Sequence, residues 1–424
     1  MDWISTAYWV AIASVTLFTL LITWQAFEHR RYCRSRSRHR PRQTIHQHLA
    51  LFVPCKGLDA DLEANLRPLF EQDHEDYEIV FIVESECDPA CAAIDRVMAE
   101  YPGVPSRRVV AGISEGTGQK VHNLLVATEE LPKDIDVLVF VDADVRPPRD
   151  WLRSLTSRMH REHVSTGYRC FVPKRNTLPN LILSALNGSV VPIMFPGKHH
   201  LIWGGSWAIT RETFLESGLR EAWKGTLSDD LIATRVMAAA GRRVSAEPMC
   251  ILPSPLDVSW SEMLGFVRRQ LIIGRCYTAV HWYALLFGTA VMQTVYWGSL
   301  AALAWGLAGG AEWTWRPAVA LAVVYTLHVW RAYLRHNASQ YYLPYRQDDL
   351  AVARRFDTWL GPVAGVFGLV GLVSSAFTRR IVWKGIAYDM EAGGAIRQIV
   401  RPPQPAVAPA GAALGESSSS RRAA

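Results

Sequence analysis

The residues best suited to chemistry stand close together. Asp142 and Asp144 directly follow an apolar, mostly β-branched run at 137–141 and precede Pro147 and Pro148. A run with no polar face reads as a strand buried on both sides of a parallel sheet. Its carboxyl end is where open α/β sheets hold ligands. Two carboxylates there can share a hard cation, Mg2+ or Mn2+, which takes oxygen ligands and is commonly completed by substrate phosphates. Asp-x-Asp alone is also an ordinary turn, so the weight falls on what else reaches the same edge.

The elements that would position these acids are legible on either side. Strand patterns at 49–54, 77–83, 108–111 and 137–141 alternate with helical patterns at 62–70, 89–100 and within 116–131. That alternation predicts right-handed βαβ crossovers and a mainly parallel α/β sheet. The loops after the strands carry Lys56-Gly57, Glu84 to Asp88, and Gly116, Gly118, Lys120 and Asn123, all bound for the edge of Asp142 and Asp144. An acid after the second strand can accept from a base or ribose, Lys120 can offset phosphate charge, and the glycines allow close backbone approach. Each of these features alone is more often a turn or a solvated side chain. Their common edge is what gives them weight.

Further along, Gly204-Gly205 reads as a turn feeding a strand, with Gly205 at the ligand or at a bulge. Ser228 or Asp229 can cap a helix that Gly241 ends, which leaves the surplus acid, Asp230, as a candidate general base. A strand returns at 242–251. Residues 259–275 form a basic amphipathic helix with Arg268, Arg269 and Gln270, suited to a membrane surface or to holding a leaving diphosphate.

Composition narrows the class. The chain has 424 residues, half of them hydrophobic, with 16 Trp, so most of it folds. A net charge of +6 is too mild for a nucleic-acid partner, and the excess is local to 29–42, directly after an apolar run at 4–27. That run is long enough to span a bilayer, and the positive-inside rule then puts the basic flank and the following domain in the cytoplasm. Seven scattered Cys show neither zinc-type pairing nor a disulfide framework. Two more spans are predicted at 282–307 and 317–333. The glycine-rich run at 359–377 is predicted to form a re-entrant or shallow hairpin, and the tail from 402 to be disordered. The implied divisions are an anchor (1–28), a basic linker (29–47), a catalytic domain (48–258), an interface helix (259–280), a membrane region (281–378), a tail motif (379–401) and the final tail (402–424).

In this order, Lys56-Gly57, Asp88-Pro89-Ala90, Gly118-x-Lys120-x-x-Asn123-Leu124, Asp142-x-Asp144, Asp229-Asp230 and Arg268-Arg269-Gln270 resemble the family 21 membrane glycosyltransferases, those similar to ceramide glucosyltransferase. The likeness covers about 49–275. It extends more loosely to 379–388, which is similar to the tail of bacterial, hopanoid-associated relatives. The resemblance implies a GT-A fold, Rossmann-like and cytosolic, between N-terminal and C-terminal transmembrane helices. It also implies a nucleotide-sugar donor, usually UDP-glucose. By it Asp88 is the first acidic position, Asp142 and Asp144 bind the metal, and Asp230 is the catalytic base. Lys56, Lys120, Asn123, Gly205, Arg268, Arg269 and Gln270 then fall on the substrates. One departure stands out, since the family's closing motif ends in Arg-Trp and no Trp follows Arg268-Arg269-Gln270 here.

The resulting expectation is an inverting hexosyltransferase that makes a β-glycolipid in a multi-pass membrane protein. A processive polysaccharide synthase would call for more helices around a tunnel. A non-catalytic scaffold would have no use for three acids in these places.

Overall fold

The computed structural model describes residues 3–38, 46–58, 61–193 and 201–402. Helix α1 (Trp3–Arg38) comes first. An α/β domain follows with β1 (Leu49–Pro54), α2 (Leu62–Phe70), β2 (Tyr77–Val83), α3 (Ala90–Glu100), β3 (Ser106–Val110), α4 (Gln119–Ala127) and β4 (Val137–Val141). It continues through α5 (Trp151–Thr156), α6 (Met159–Glu162), β5 (Val164–Pro173), α7 (Leu178–Val190), β6 (Ser206–Thr210), α8 (Arg211–Glu216), α9 (Leu219–Trp223), α10 (Asp229–Ala239) and β7 (Ser245–Leu256). Helices α11 (Trp260–Tyr277), α12 (Ala279–Ala308), α13 (Trp315–Tyr342) and α14 (Ala351–Ala376) precede three short strands, β8 (Arg380–Trp383), β9 (Ile386–Met390) and β10 (Ile396–Val400).

The main sheet has the order β3-β2-β1-β4-β6-β5-β7. All its pairings are parallel except those of β6, which runs antiparallel to β4 and to β5. The reason β1 and β4 lack a polar face is visible in the packing. Ala50, Phe52, Leu138 and Phe140 point into one core, while Leu49, Leu51, Val53, Val137 and Val139 point into another on the opposite face. Alternate residues of a strand face opposite sides, and both sides are covered by helices. Phe140 stacks between Phe52 and Trp207, with ring centroids 5.4 and 4.4 Å away, and so fixes the strand whose next residues are Asp142 and Asp144.

Three predictions are corrected. The linker at 29–47 is helical through Arg38, and its cations do not all face lipid: Arg36 is buried in an ion pair with Glu247, and Tyr32 donates to the Ala246 carbonyl at 2.8 Å. Breaking such a buried pair by removing one partner costs about 3–5 kcal/mol, so α1 is docked firmly on β7. Residues 39–45 lie outside the described set, as does the tail from 403.

The second correction concerns 359–377, which forms no hairpin. Residues 359–376 lie within the single helix α14, which Phe377 caps and whose first half is tied to α13 by Arg335–Asp357 at 2.6 Å. Its end is tied to the α11–α12 junction, where Arg275 donates to the Thr378 carbonyl at 2.7 Å and Trp282 to Ser375 at 3.1 Å. Gly361, Gly365 and Gly371 are where neighbours crowd in, since a Cβ there would collide with His328, Gln293 and Val267. Small residues let helices approach, and here they serve one continuous helix, Pro362 included, rather than a turn.

The third correction concerns 379–401, which is not a separate tail. Strands β8, β9 and β10 form an antiparallel sheet whose Ile381, Ile386, Tyr388 and Met390 belong to the same core as β1 and β4.

Three described stretches are long and apolar enough to cross a membrane: Thr6–Arg38, Glu312–Tyr342 and Ala351–Ala376. Helix α12, at the span predicted for 282–307, falls outside that set, because Trp, Tyr, His and Gln are spread along its 30 residues; it carries no Asp, Glu, Lys or Arg.

Candidate active site

The acids of the two motifs meet at one lysine. Lys120, in the first turn of α4, places its Nζ 2.7 Å from Asp142 Oδ1 and 3.1 Å from Asp229 Oδ1. Ser228 caps α10, its Oγ accepting from the Leu231 amide at 3.3 Å, so neither following acid is needed as the cap. Asp230 Oδ1 accepts from the Leu231 amide at 2.8 Å and from the Ser228 hydroxyl, and its Oδ2 accepts from the Gly204 amide at 2.9 Å. The Gly204 carbonyl in turn accepts from Lys120 at 3.1 Å. The end of β4, the start of α10 and the turn before β6 are thereby held as one unit.

Burial sets the electrostatics of that unit. Asp229, with 4% of its side chain exposed, is pushed up to about 7, chiefly by burial and then by Asp230 and Asp142, against the pull of Lys120. Its Oδ2 is buried with no hydrogen-bond partner among the described residues. Burial also raises Asp142, as does Asp144, while Lys120 and Arg169 oppose the shift. For Lys120 burial disfavours the charge, but Asp142, Asp229 and Asp230 outweigh it and hold the ammonium well above its ordinary value.

Two residues that sequence reasoning did not single out complete the cluster. Gly204, not Gly205, is the backbone at the acids: a Cβ there would lie 3.0 Å from Lys120 Nζ and 3.1 Å from a carboxylate oxygen of both Asp229 and Asp230. Gly205 instead avoids a collision with the Trp203 ring, and its carbonyl accepts from the Asp142 amide at 3.3 Å. Arg169, on β5, stacks over Trp203 at 4.9 Å and stands 3.7 Å from Asp142 and 3.6 Å from Asp144. An arginine between Tyr168 and Cys170 is its only trace in the sequence.

Among the described residues no three His, Cys, Asp or Glu side chains gather as a complete metal site. Asp142 and Asp144 nevertheless fit a divalent ion that takes its remaining oxygens from a diphosphate. They already converge on one positive group, the Arg169 guanidinium, and Asp144 is half exposed.

The other predicted ligand residues divide. Lys56 pairs with Glu84, and Asp88 Oδ1 accepts from the Gly57 and Ala90 amides at 2.8 and 2.9 Å, which ties the loops after β1 and β2 together. Asn123 is buried and bonded within the protein, its Oδ1 accepting from Gln119 Nε2 at 2.8 Å, so it positions Gln119 instead of facing the cleft. A cavity of about 850 Å3 runs from Asp144, Arg146 and Arg169 to Arg268 and Arg269 on α11 and to Ile381 on β8. Asp142 and Asp230 do not line it, whereas Arg169 does. Gln270 is exposed and turned away. Helix α11 begins with a capping box at Ser259 and Glu262 and buries Met263 and Val267, and Arg269, over the Phe266 ring at 5.3 Å, is lowered by burial and by Arg169.

A mainly parallel sheet with paired acids at the carboxyl end of its central strand, and further acids on a neighbouring helix start, defines a glycosyltransferase of the GT-A type. The chain belongs to glycosyl transferase family 21, whose model matches residues 7–396. The ceramide glucosyltransferase of Komagataella phaffii is 35% identical over 81 residues, and those residues make up 18% of this chain and 16% of that relative. Among solved structures, the mannosyltransferase PcManGT from Pyrobaculum calidifontis, in complex with GDP-Man and Mn2+, has a TM-score of 0.43 and 14% identity over 86% of this chain and 99% of that one. Glucosyl-3-phosphoglycerate synthase from Mycobacterium tuberculosis, with Mn2+, UDP-glucose and phosphoglyceric acid, has a TM-score of 0.33 and 14% identity over 55% and 83%.

Proposed function

We propose that this glycosyltransferase moves a hexose, glucose foremost, from UDP to a hydroxyl of a membrane lipid with inversion at the anomeric carbon. The observation that carries this reading is the cavity of about 850 Å3. One end holds Asp144 and Arg169, fit for a diphosphate, and the other reaches the arginines and apolar residues of α11, beside the helices apolar enough to enter a bilayer. The partial likeness to a ceramide glucosyltransferase supports a lipid acceptor. The basic flank of α1 supports a cytoplasmic catalytic domain in a multi-pass protein.

In this mechanism the acceptor oxygen attacks the anomeric carbon in line while the bond to the UDP oxygen breaks. Asp230 takes the acceptor's proton, and its hydrogen bonds to Gly204 and Leu231 fix the carboxylate's orientation. Asp142 and Asp144 would hold Mg2+ or Mn2+, which supplies charge compensation for the departing diphosphate. Arg169 moves off the acids to the phosphates, and Arg268 and Arg269 meet them from the membrane side. Confining the acceptor to the bilayer at which the site stands supplies proximity.

The test is UDP release in vesicles. Release from UDP-glucose should depend on an acceptor lipid and on a divalent ion; release without either lipid or metal overturns the reading.

A further inference from the structure

The donor's diphosphate and its nucleoside cannot occupy the same strand end, and the sheet says where the second must lie. If Asp142 and Asp144 after β4 take the diphosphate and the cavity that runs from Asp144 to α11 takes the acceptor, the nucleoside is left the strand ends on the other side of β4, those of β1 and β2, since β4 pairs with β1 and β1 with β2. Two strand spacings cover about 10 Å, the reach of a nucleoside from its phosphate to the base. The base therefore arrives at Glu84, the residue after β2, beside the loop after β3.

That place already holds a cation from a distant part of the chain. Arg401, directly after β10, lies 3.3 Å from Glu84 Oε2, donates to the Ser114 carbonyl at 3.3 Å and donates to Gln119 Oε1. Glu84 is further neutralised by Lys56, so its carboxylate is engaged by the protein on both oxygens. The Arg401 Nε is buried and lacks a hydrogen-bond partner among the described residues. The small C-terminal sheet sets it there. Tyr388 on β9 accepts from the Gln119 amide at 3.3 Å, and the Ile396 amide donates to the Gly225 carbonyl at 2.9 Å. Arg401 lies outside the residues that the family model matches.

We propose that Arg401 is a binding residue for the donor's nucleobase, one that favours a base with a carbonyl over one with an amino group at the same position. The inference rests on the UDP-sugar reading above. A guanidinium has only donors and a flat face, so it can stack on a pyrimidine and donate to a uracil carbonyl, whereas cytosine presents an amino donor there. Glu84, Gln119 and the Ser114 carbonyl hold the guanidinium in place, and Lys56 holds Glu84.

The experiment is equilibrium binding of UDP and CDP to the full chain in nanodiscs, with Mn2+, for the unaltered protein and for Arg401→Ala and Arg401→Lys, alongside the melting temperature of each. The unaltered chain should prefer UDP. Arg401→Ala should lose about tenfold or more in UDP affinity, the worth of one charge-assisted hydrogen bond, and most of its preference over CDP. Arg401→Lys should retain part of both. A lower melting temperature with the UDP-to-CDP ratio unchanged means a merely structural arginine and overturns the proposal, as does an equal loss for both nucleotides or no loss. If the unaltered chain binds neither nucleotide, the UDP-sugar reading itself falls, and this inference with it.

Discussion

The Lys120 ammonium lies 2.7 Å from the Asp142 carboxylate, joining the first turn of α4 to the end of β4. The same ammonium reaches Asp229 at 3.1 Å, so one cation serves three elements and the charge of the acid cluster is balanced around it. Removing it would leave buried carboxylates without their main compensation.

Asp229 makes stability depend on pH in a defined direction. Its folded value is about 7, above the ordinary value of 3.8, so between those limits the folded chain keeps a proton that the unfolded chain releases. Stability is then highest below pH 4 with respect to this group and falls as pH rises through 7, by up to about 4 kcal/mol at one pH unit per 1.36 kcal/mol. Melting temperatures between pH 5 and 8 should fall with rising pH, and Asp229→Asn should flatten that slope. A slope unchanged by the substitution contradicts the assignment.

Asp144→Ala should abolish transfer and weaken UDP binding in Mg2+ or Mn2+ while leaving the melting temperature nearly unchanged, because this carboxylate is half exposed and only near Arg169. Titration calorimetry with UDP, with and without the ion, measures it. Equal UDP affinity with and without the ion in the unaltered chain would remove the metal from the account.

Asp230→Asn keeps the size but loses basicity, and its one amide oxygen can accept on one side only, from Leu231 and Ser228 or from Gly204. Turnover should fall by about 100-fold or more with donor affinity retained, the usual worth of a general base. Normal turnover in Asp230→Asn would shift the role to Asp229, whose buried carboxylate is the nearest alternative.

The strands on which the site stands were legible because their faces are simple. Both sides of β4 are buried, so an unbroken apolar run marks it, β2 is apolar from Ile79 to Val83, and both begin and end at the residues the pattern predicts. Asp142 and Asp144 were legible because they follow the run of β4, and Asp229 and Asp230 because they open a helix that Ser228 can cap. What escaped was set by tertiary contact. Gly204 and Gly205 are equivalent in sequence, and only Trp203 packing against one and Lys120 reaching the other tells them apart. Arg169 looks like a stray charge until β5 pairs with β6 and brings it to Asp142. Asn123 sits one helical turn beyond Gln119 and turns inward to bond it, a choice no periodicity records. The strands at 380–400 are short and bury their apolar residues in a core built from distant segments between Ala50 and Tyr277, so their place in the fold is not set by local sequence.

The arginines of α11 separate two uses of a basic helix. Arg269 lines the cavity that also holds Asp144 and stacks on Phe266, whereas Gln270 points outward. Arg269→Ala should impair transfer to a short-chain acceptor dispersed in detergent, chiefly through turnover. Full activity of both Arg268→Ala and Arg269→Ala on that acceptor would reduce the helix to a membrane anchor.

The most direct test of the central claim is the product itself. The purified chain in vesicles containing hydroxyl lipids, supplied with UDP-glucose and Mn2+, should yield a lipid heavier by one hexose on mass spectrometry. Its anomeric proton should show the β configuration by NMR, and the product should be missing from the Asp230→Asn preparation. A polymeric glycan, an α-linked product, or hexosylation that persists in Asp230→Asn would contradict the account.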